Sequence, residues 1–255
     1  MSTTGTIFSG SGDAYDRFMG RYSTQLARPF ADFAGVTPGM RVLDVGAGTG
    51  ALTDELAARG ATVTAVEPSQ DYAAELRERF AEVHVAPAEQ MPFPDGTFDA
   101  VLAQLVVVFL NDVGGAIREM ARVAREGGVV GTCMWEVQGM DMMNALNTVR
   151  DRIAPGTTPP PVTEYRDEAS LRALFEACGL RDVEATTLSV EVTYETIDEL
   201  WEPAIHVGGP GGPVAEALGP DVLARARAVF DEALGRPAGT FRLSGRSATV
   251  RGTKG

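Results

Sequence analysis

Cysteine is nearly absent from this chain of 255 residues: Cys133 and Cys178 stand far apart and without metal-ligand spacing. Two isolated thiols exclude a disulfide framework, suit a reducing cytosol and give no reason to expect a metal. Basic charge is also short, with 22 Lys and Arg against 35 Asp and Glu and a formal net charge of −13. Without a basic surplus to release counterions, nucleic-acid phosphate is excluded as the main partner. Five cations (Arg236, Arg242, Arg246, Arg251 and Lys254) do collect in the last twenty residues. Their spread along a strand-like segment reads as a solvated face rather than an RNA-binding tail. Long apolar runs are missing too: the longest, Leu105–Leu110, is far below a bilayer span, and charges interrupt the first thirty residues. A cytoplasmic protein without membrane insertion is the expectation, and 255 residues suit one elaborated domain.

What is present is an alternation of strand and helix patterns. Apolar strand candidates fall at Arg41–Val45, Thr62–Val66, Ala100–Val107 and Val129–Met134, with a short one at Val83–Ala86. Helical patterns separate them: Leu52, Leu56 and Ala57 before a stop at Gly60; Tyr72, Leu76 and Phe80 after Pro68; and Val113, Ile117, Met120, Ala121 and Ala124 after Asp112, ended by Gly127-Gly128. Such alternation predicts a parallel sheet covered on both faces. Residues 138–167 read as a loop around the Pro155–Pro161 cluster. Beyond it follow a helix over Glu168–Cys178, a strand over Val183–Tyr194, a helix through Trp201 with Thr196 and Glu199 as a capping box, a turn at Gly208–Pro213, a helix over Asp221–Leu234 and a last strand over Phe241–Arg251.

The segment VLDVGAGTG, Val42 to Gly50, runs a buried strand into a glycine-rich turn and then a helix, which is the arrangement of a nucleotide-type cofactor site. Read as G-x-G-x-x-G/A with Glu67 further on, it also fits a dinucleotide fold. Asp44 discriminates: a carboxylate two residues before Gly46 would repel a pyrophosphate and suits a ligand presenting an ammonium or hydroxyl. The helix N-terminus near Thr49 offers N–H groups to a carboxylate. An amino-acid-bearing nucleoside meets both preferences, and Glu67 at the end of the second strand can accept from both ribose hydroxyls.

A third block, Ala88-Glu89, Pro92-Phe93-Pro94-Asp95-Gly96 and Phe98-Asp99 leading into Ala100–Gln104, completes an ordered series. Over residues 37–136 the chain resembles the class I S-adenosylmethionine-dependent methyltransferases, in the branch with ubiquinone and menaquinone C-methyltransferases and many small-molecule methyltransferases. The resemblance implies a Rossmann-like α/β fold with a mostly parallel seven-stranded sheet, helices on both faces and a helical lid. It implies S-adenosyl-L-methionine as cofactor and S-adenosyl-L-homocysteine as product. Asp44 with the Gly46, Ala47, Gly48 and Gly50 backbone would hold the methionine part, Glu67 the ribose and Pro68 the adenine face. Ala88 through its N–H and Glu89 through its carboxylate would read the adenine edge. Gln104 and Leu105 would line the cofactor near the sulfonium, and Tyr15 and Arg21 would reach it from an N-terminal helix.

The resemblance divides one methyltransferase domain into N-terminal lid helices (1–36), a cofactor core (37–136) and substrate-cap insertions (138–167 and 195–239). Relatives often have an acid where Pro87 stands, a histidine where Val108 stands and Pro-Gly-Gly where this chain has Glu126-Gly127-Gly128. The loss at Val108 leaves His206 and Glu136 as candidate bases. The expected partner is a small-molecule methyl acceptor bearing an O, N or C nucleophile. A cofactor-binding protein without catalysis is the alternative, and an NAD-dependent oxidoreductase is a weaker one that Asp44 opposes.

Overall fold

The computed structural model describes residues 19–156, 165–206 and 219–255, with Val137, Ile205 and His206 described in the backbone only. Tyr15 and the Gly208–Pro213 turn lie outside the described residues. The elements run α1 (Arg21–Phe33), β1 (Arg41–Val45), α2 (Ala51–Ala58), β2 (Thr62–Val66), α3 (Gln70–Arg77), β3 (Val83–His84), β4 (Phe98–Gln104), α4 (Val113–Val123), β5 (Ala124–Met140), α5 (Asp141–Ile153), α6 (Glu168–Ala177), β6 (Arg181–Tyr194), α7 (Asp198–His206), α8 (Pro220–Ala233) and β7 (Phe241–Thr253).

All seven strands share one sheet in the order β3-β2-β1-β4-β5-β7-β6. Pairing is parallel from β3 through β5. Gly127 and Gly128 bond with Lys254 while Met134 meets Ser247, so β5 and β7 run in opposite directions. The chain reverses its strand order around β1 and β4, where an open α/β sheet binds ligands at the strands' carboxyl ends.

The chain divides into two compact units. One, residues 23–139, 162–190 and 246–255, holds β1 to β4 and most of β5, β6 and β7. In it Leu43, Val45, Val101 and Val130 turn to one face, under Ile117 and Met120 of α4 and Leu171 and Phe175 of α6. Alternate residues point to the opposite face. There Thr53 of α2 meets Asp44, Phe30 of α1 lies 3.5 Å from a Cβ placed on Gly131, and Ala73 and Leu76 of α3 cover Ala65. Helices therefore cover both faces, and the strands are near-continuous apolar runs because neither face meets water. The other unit, residues 1–22, 140–161 and 191–245, packs α5 against α8, with Trp201 of α7 against Phe230 of α8 at 5.2 Å between ring centroids.

β1 and β2 match the sequence expectation residue for residue. Several other elements do not. The helix α4 stops at Val123, and Gly127-Gly128 lies inside β5 at an irregularity in its pairing with β4. Gly127 has φ +71, and a Cβ on Gly128 would stand 2.8 Å from the Arg125 carbonyl, so these glycines serve a bulge rather than a helix stop. The strand expected over Ala100–Val107 spans Phe98–Gln104, and Val107 opens a short 3-10 turn. Residues 138–167, expected as a loop, contain α5, whose Met142 and Ala145 are buried three positions apart with Arg150 and Arg152 in its last turn. Thr196 does not cap α7: the Ile197 carbonyl accepts the helix's first bonds, from Leu200 and Trp201. A capping box forms instead at α6, between Asp167 and Ser170.

Candidate functional site at the carboxyl ends of β1, β2 and β4

The β1 turn is built from backbone constraints. The N–H groups of Gly46 and Ala47 both donate to the Val66 carbonyl, at 2.7 and 3.1 Å, which pins the turn to the end of β2. Gly46, Gly48 and Gly50 have φ of +69, +55 and +95, a region that favours glycine. They differ in what surrounds them. A Cβ on Gly46 would come within 2.7 Å of Val106 Cγ2, whereas nothing lies within 4 Å of one on Gly48. Gly46 is packed by protein; Gly48 faces open space at the turn's tip.

Two buried carboxylates flank this turn. Asp44 is 1% exposed and accepts a 2.6 Å hydrogen bond from Thr53 Oγ1 on α2. Burial pushes its carboxyl up to about 7, against the lowering effect of Thr53 and with the charge of Glu67 adding to the rise. Glu67 accepts from Gly48 N–H at Oε2 and from Ser69 N–H at Oε1, both at 2.9 Å. Its pKa is also raised, chiefly by burial. Ser69 caps α3, so strand end, carboxylate and helix start form one local unit.

At the end of β4, Gln104 Nε2 donates to the Ser23 carbonyl at 3.0 Å, and its Oε1 is buried without a partner. Leu105 follows at φ +63, a strained value for a residue with a Cβ, and its N–H still reaches the Cys133 carbonyl at 3.0 Å. Asp44 pairs with Leu102 across the β1–β4 ladder, so Asp44 and Gln104 lie on the same sheet face.

The remaining expected residues are placed as follows. Ala88 is buried and Pro68 exposed. Glu89 Oε1 accepts from the N–H of Asn111 at 3.2 Å and from that of Asp112 at 3.5 Å. Glu136 accepts from Thr187 Oγ1 of β6 and pairs with Arg246 of β7, each at 2.6 Å, so its carboxylate is already engaged. Arg21 pairs with Glu199 at 2.9 Å, donates to the Thr193 carbonyl and lies 5.1 Å over the Tyr194 ring. His206 is the last residue of α7.

Sequence reasoning missed three residues that order this region. Thr53 was legible as the polar residue next to Leu52 on the helix whose buried positions are Leu52, Thr53 and Leu56. Arg122 organises the Pro-Phe-Pro-Asp-Gly block, donating to the Met91 and Phe93 carbonyls and pairing with Asp95 and Glu119. Arg166 donates from Nε to the Trp135 carbonyl at 3.0 Å, and no local pattern marks it. Cys133 is a buried thiol pushed up to about 12 by burial, and no helix among the described residues is long and apolar enough to cross a membrane.

Comparison with known proteins gives this geometry its relatives. A family model described as a methyltransferase domain matches residues 43–131. An uncharacterised protein of Mycobacterium tuberculosis is 33% identical over 149 residues, 56% of this chain and 54% of that protein; the chain thus spans about half the length of the first curated relatives it matches. A demethylmenaquinone methyltransferase of Mycolicibacterium vanbaalenii is 30% identical over 194 residues, covering 71% of this chain and 81% of that enzyme. Among solved structures, a candidate type II methyltransferase from Anaeromyxobacter dehalogenans superposes with TM-score 0.63 at 24% identity, over 89% of this chain and 96% of that one. The cyclase SpnF shares the fold at TM-score 0.56 and 23% identity, over 91% and 81%. With the strand order, the glycine turn and the two flanking carboxylates in place, these relatives lead to one conclusion: the chain belongs to the class I S-adenosylmethionine-dependent methyltransferases.

Proposed function

We propose that the protein transfers a methyl group from S-adenosylmethionine to an O, N or C nucleophile of a small molecule, by in-line displacement. The observation that carries this reading is the set of unmet polar capacities at the strand ends. Asp44 is a buried carboxylate raised toward neutrality, which an ammonium would restore to its ionised form. Glu67 spends one bond on each oxygen, and a carboxylate offers about four lone-pair sites, so two hydroxyls can still be accepted. The open space at Gly48 admits a ligand against the backbone. A diphosphate meets neither carboxylate's preference, since both flanking groups are acids.

In this reading Asp44 and the Gly46–Gly50 backbone hold the amino-acid part of the cofactor, and Glu67 the ribose. Pro68, Ala88 and Glu89 border the adenine, with Glu89 held toward residues 111–112 through one oxygen. Gln104 and Leu105 stand nearest the sulfur. Tyr15 and Arg21 remain proposed contacts from the N-terminal segment. Bound S-adenosylmethionine supplies the electrophilic methyl and the leaving group. The chain's part is to align donor and acceptor and to keep water out. Leu105 and Val106 are buried aliphatic side chains at the strand end, suited to that exclusion. Where a proton must leave, His206 is the proposed base; Glu136 is the weaker choice, because its pairing with Arg246 competes for the carboxylate.

A second reading, cofactor binding without methyl transfer, draws on the aliphatic Leu105–Val108 segment, which offers no acid or base. Incubation with methyl-labelled S-adenosylmethionine and a broad panel of small phenols, amines and quinols separates the two. Label transfer to any acceptor supports the first reading; tight S-adenosylhomocysteine binding with no transfer supports the second.

A further inference from the structure

At the point where β4 leaves the sheet, β5 continues and an arginine takes the vacated place. The Cys133 carbonyl accepts from Leu105 N–H, so it points toward β4. Carbonyls of alternate residues along a strand share a lateral direction. Trp135 O therefore points to the same side, into the line β4 abandons when Leu105 turns away at φ +63. Met134 O, between them, faces the other way and accepts from Ser247 Oγ on β7 at 3.2 Å. The group bound to Trp135 O is Arg166 Nε, at 3.0 Å. The guanidinium thus occupies the lateral position of the next β4 residue, just past Gln104 and Leu105.

Its chemistry there is unbalanced. The other arginines tied to β5 or β7 in this unit meet carboxylates: Arg125 with Asp99 and Arg246 with Glu136 at 2.6 Å, Arg251 with Glu184 at 2.7 Å. Arg166 is half-buried, forms no ion pair among the described residues, and burial alone draws its pKa down. With Nε engaged, two Nη groups still carry four N–H donors. On the last residue of β4, Gln104 Oε1 is a buried acceptor without a donor. Its orientation is fixed, because reversing the amide would set its oxygen against the Ser23 carbonyl. The region where β4 ends therefore holds a surplus cationic donor set, on the Trp135 carbonyl of β5, and a surplus neutral acceptor, on Gln104. Buried polar groups left unmatched are costly, and a ligand that matches them recovers the cost.

We propose that Arg166 is the anion-binding residue of the methyl-acceptor site, and that the acceptor carries a carboxylate together with an O–H or N–H that Gln104 accepts. A carboxylate fits better than a phosphate: the planar fork matches two carboxylate oxygens, and a single guanidinium balances a single charge. This inference rests on the methyltransferase reading, since it names the acceptor class for that same site.

The test is calorimetric titration of the full-length protein, with and without S-adenosylhomocysteine. The probes are benzoate, 4-hydroxybenzoate, phenylacetate and octanoate, each beside its primary amide. The wild type should bind at least one carboxylate tenfold or more above its amide, the effect of one charge-assisted hydrogen bond. Arg166→Gln should abolish that preference and Arg166→Lys should reduce it, with S-adenosylhomocysteine affinity unchanged in both. The proposal is overturned if no carboxylate is preferred, or if the preference survives in Arg166→Gln. Should Arg166→Gln fail to fold, an undiminished preference in Arg166→Lys overturns it, because Lys keeps the charge and loses the fork. Absence of S-adenosylhomocysteine binding would count instead against the cofactor reading.

Discussion

Two regions of this molecule use charge in opposite ways. Around the β1 turn, Asp44 and Glu67 are 1% and 6% exposed, and their partners are a hydroxyl and backbone N–H groups within twenty residues along the chain. In the unit that contains α5, α7 and α8, acids are matched by arginines on the surface over long separations: Arg21 with Glu199, Arg152 with Glu232, Arg227 with Asp198. The first region leaves its acids short of positive charge; the second neutralises them. Stability alone would favour the second arrangement everywhere, because a buried unpaired carboxylate is costly. The imbalance at β1 is what a functional site that awaits a cation looks like.

Substitutions can break this contrast at several strengths. Gly46→Val should do the most damage, since it forces a β-branched residue to φ +69 and sets its Cβ 2.7 Å from Val106 Cγ2. Strain and overpacking together cost about 3 kcal/mol or more. A fall in melting temperature on the order of 10 °C is expected by calorimetry.

Asp44→Asn should act in the reverse direction. The folded-state pKa of Asp44, about 7, lies above its unfolded value of 3.8. The folded state therefore binds the proton more tightly, and the cost of ionising Asp44 is absent below pH 4, grows from there and is complete above pH 7. Removing the charge should stabilise the cofactor-free protein at pH 8 by an amount of order 4 kcal/mol at most, and by little at pH 4. Urea unfolding at the two pH values measures this. A variant that gains nothing at pH 8 would show that the buried carboxylate carries no penalty.

Gly48→Ala sharpens the comparison with Gly46. With no atom within 4 Å of the new Cβ, its cost to stability is only that of φ +55, about 1 kcal/mol. S-adenosylhomocysteine affinity should nonetheless drop about tenfold or more, as the methyl fills space the ligand needs. The smallest effect belongs to the other region. Arg227→Met removes pairs to Asp198 and Asp231 and a contact over Trp201, yet should cost no more than about 1 kcal/mol and should lose much of that cost in high salt.

The same difference explains what the sequence made legible. β1, β2 and the turn between β1 and α2 are encoded locally, by apolar runs, glycines at left-handed positions and carboxylates at strand ends, so their limits could be read directly. Thr53 needed only the helix face already identified. The helix over Asp141–Ile153 was hidden because its buried positions, Met142 and Ala145, lie among polar residues and beside a proline cluster. Gly127-Gly128 carried the signal of a helix end but answers to close contact across β4 and β5, which no local pattern reveals. Arg166 shows the same limit: its proposed role comes from the Trp135 carbonyl thirty-one residues away and from its forming no ion pair among the described residues. The residues proposed to hold the methyl donor lie in contiguous segments, whereas those proposed to choose an acceptor are brought together only by the fold.

The central claim is that Asp44 and Glu67 bind the amino-acid and ribose parts of an S-adenosyl cofactor. Calorimetric titration of S-adenosylhomocysteine into the wild type, Asp44→Ala and Glu67→Ala at pH 7.5 tests it most directly. The account predicts one site per chain in the wild type and a loss of affinity of at least about tenfold in each variant, with each still folding cooperatively. Equal affinity in all three proteins, or no binding to the wild type, would contradict it.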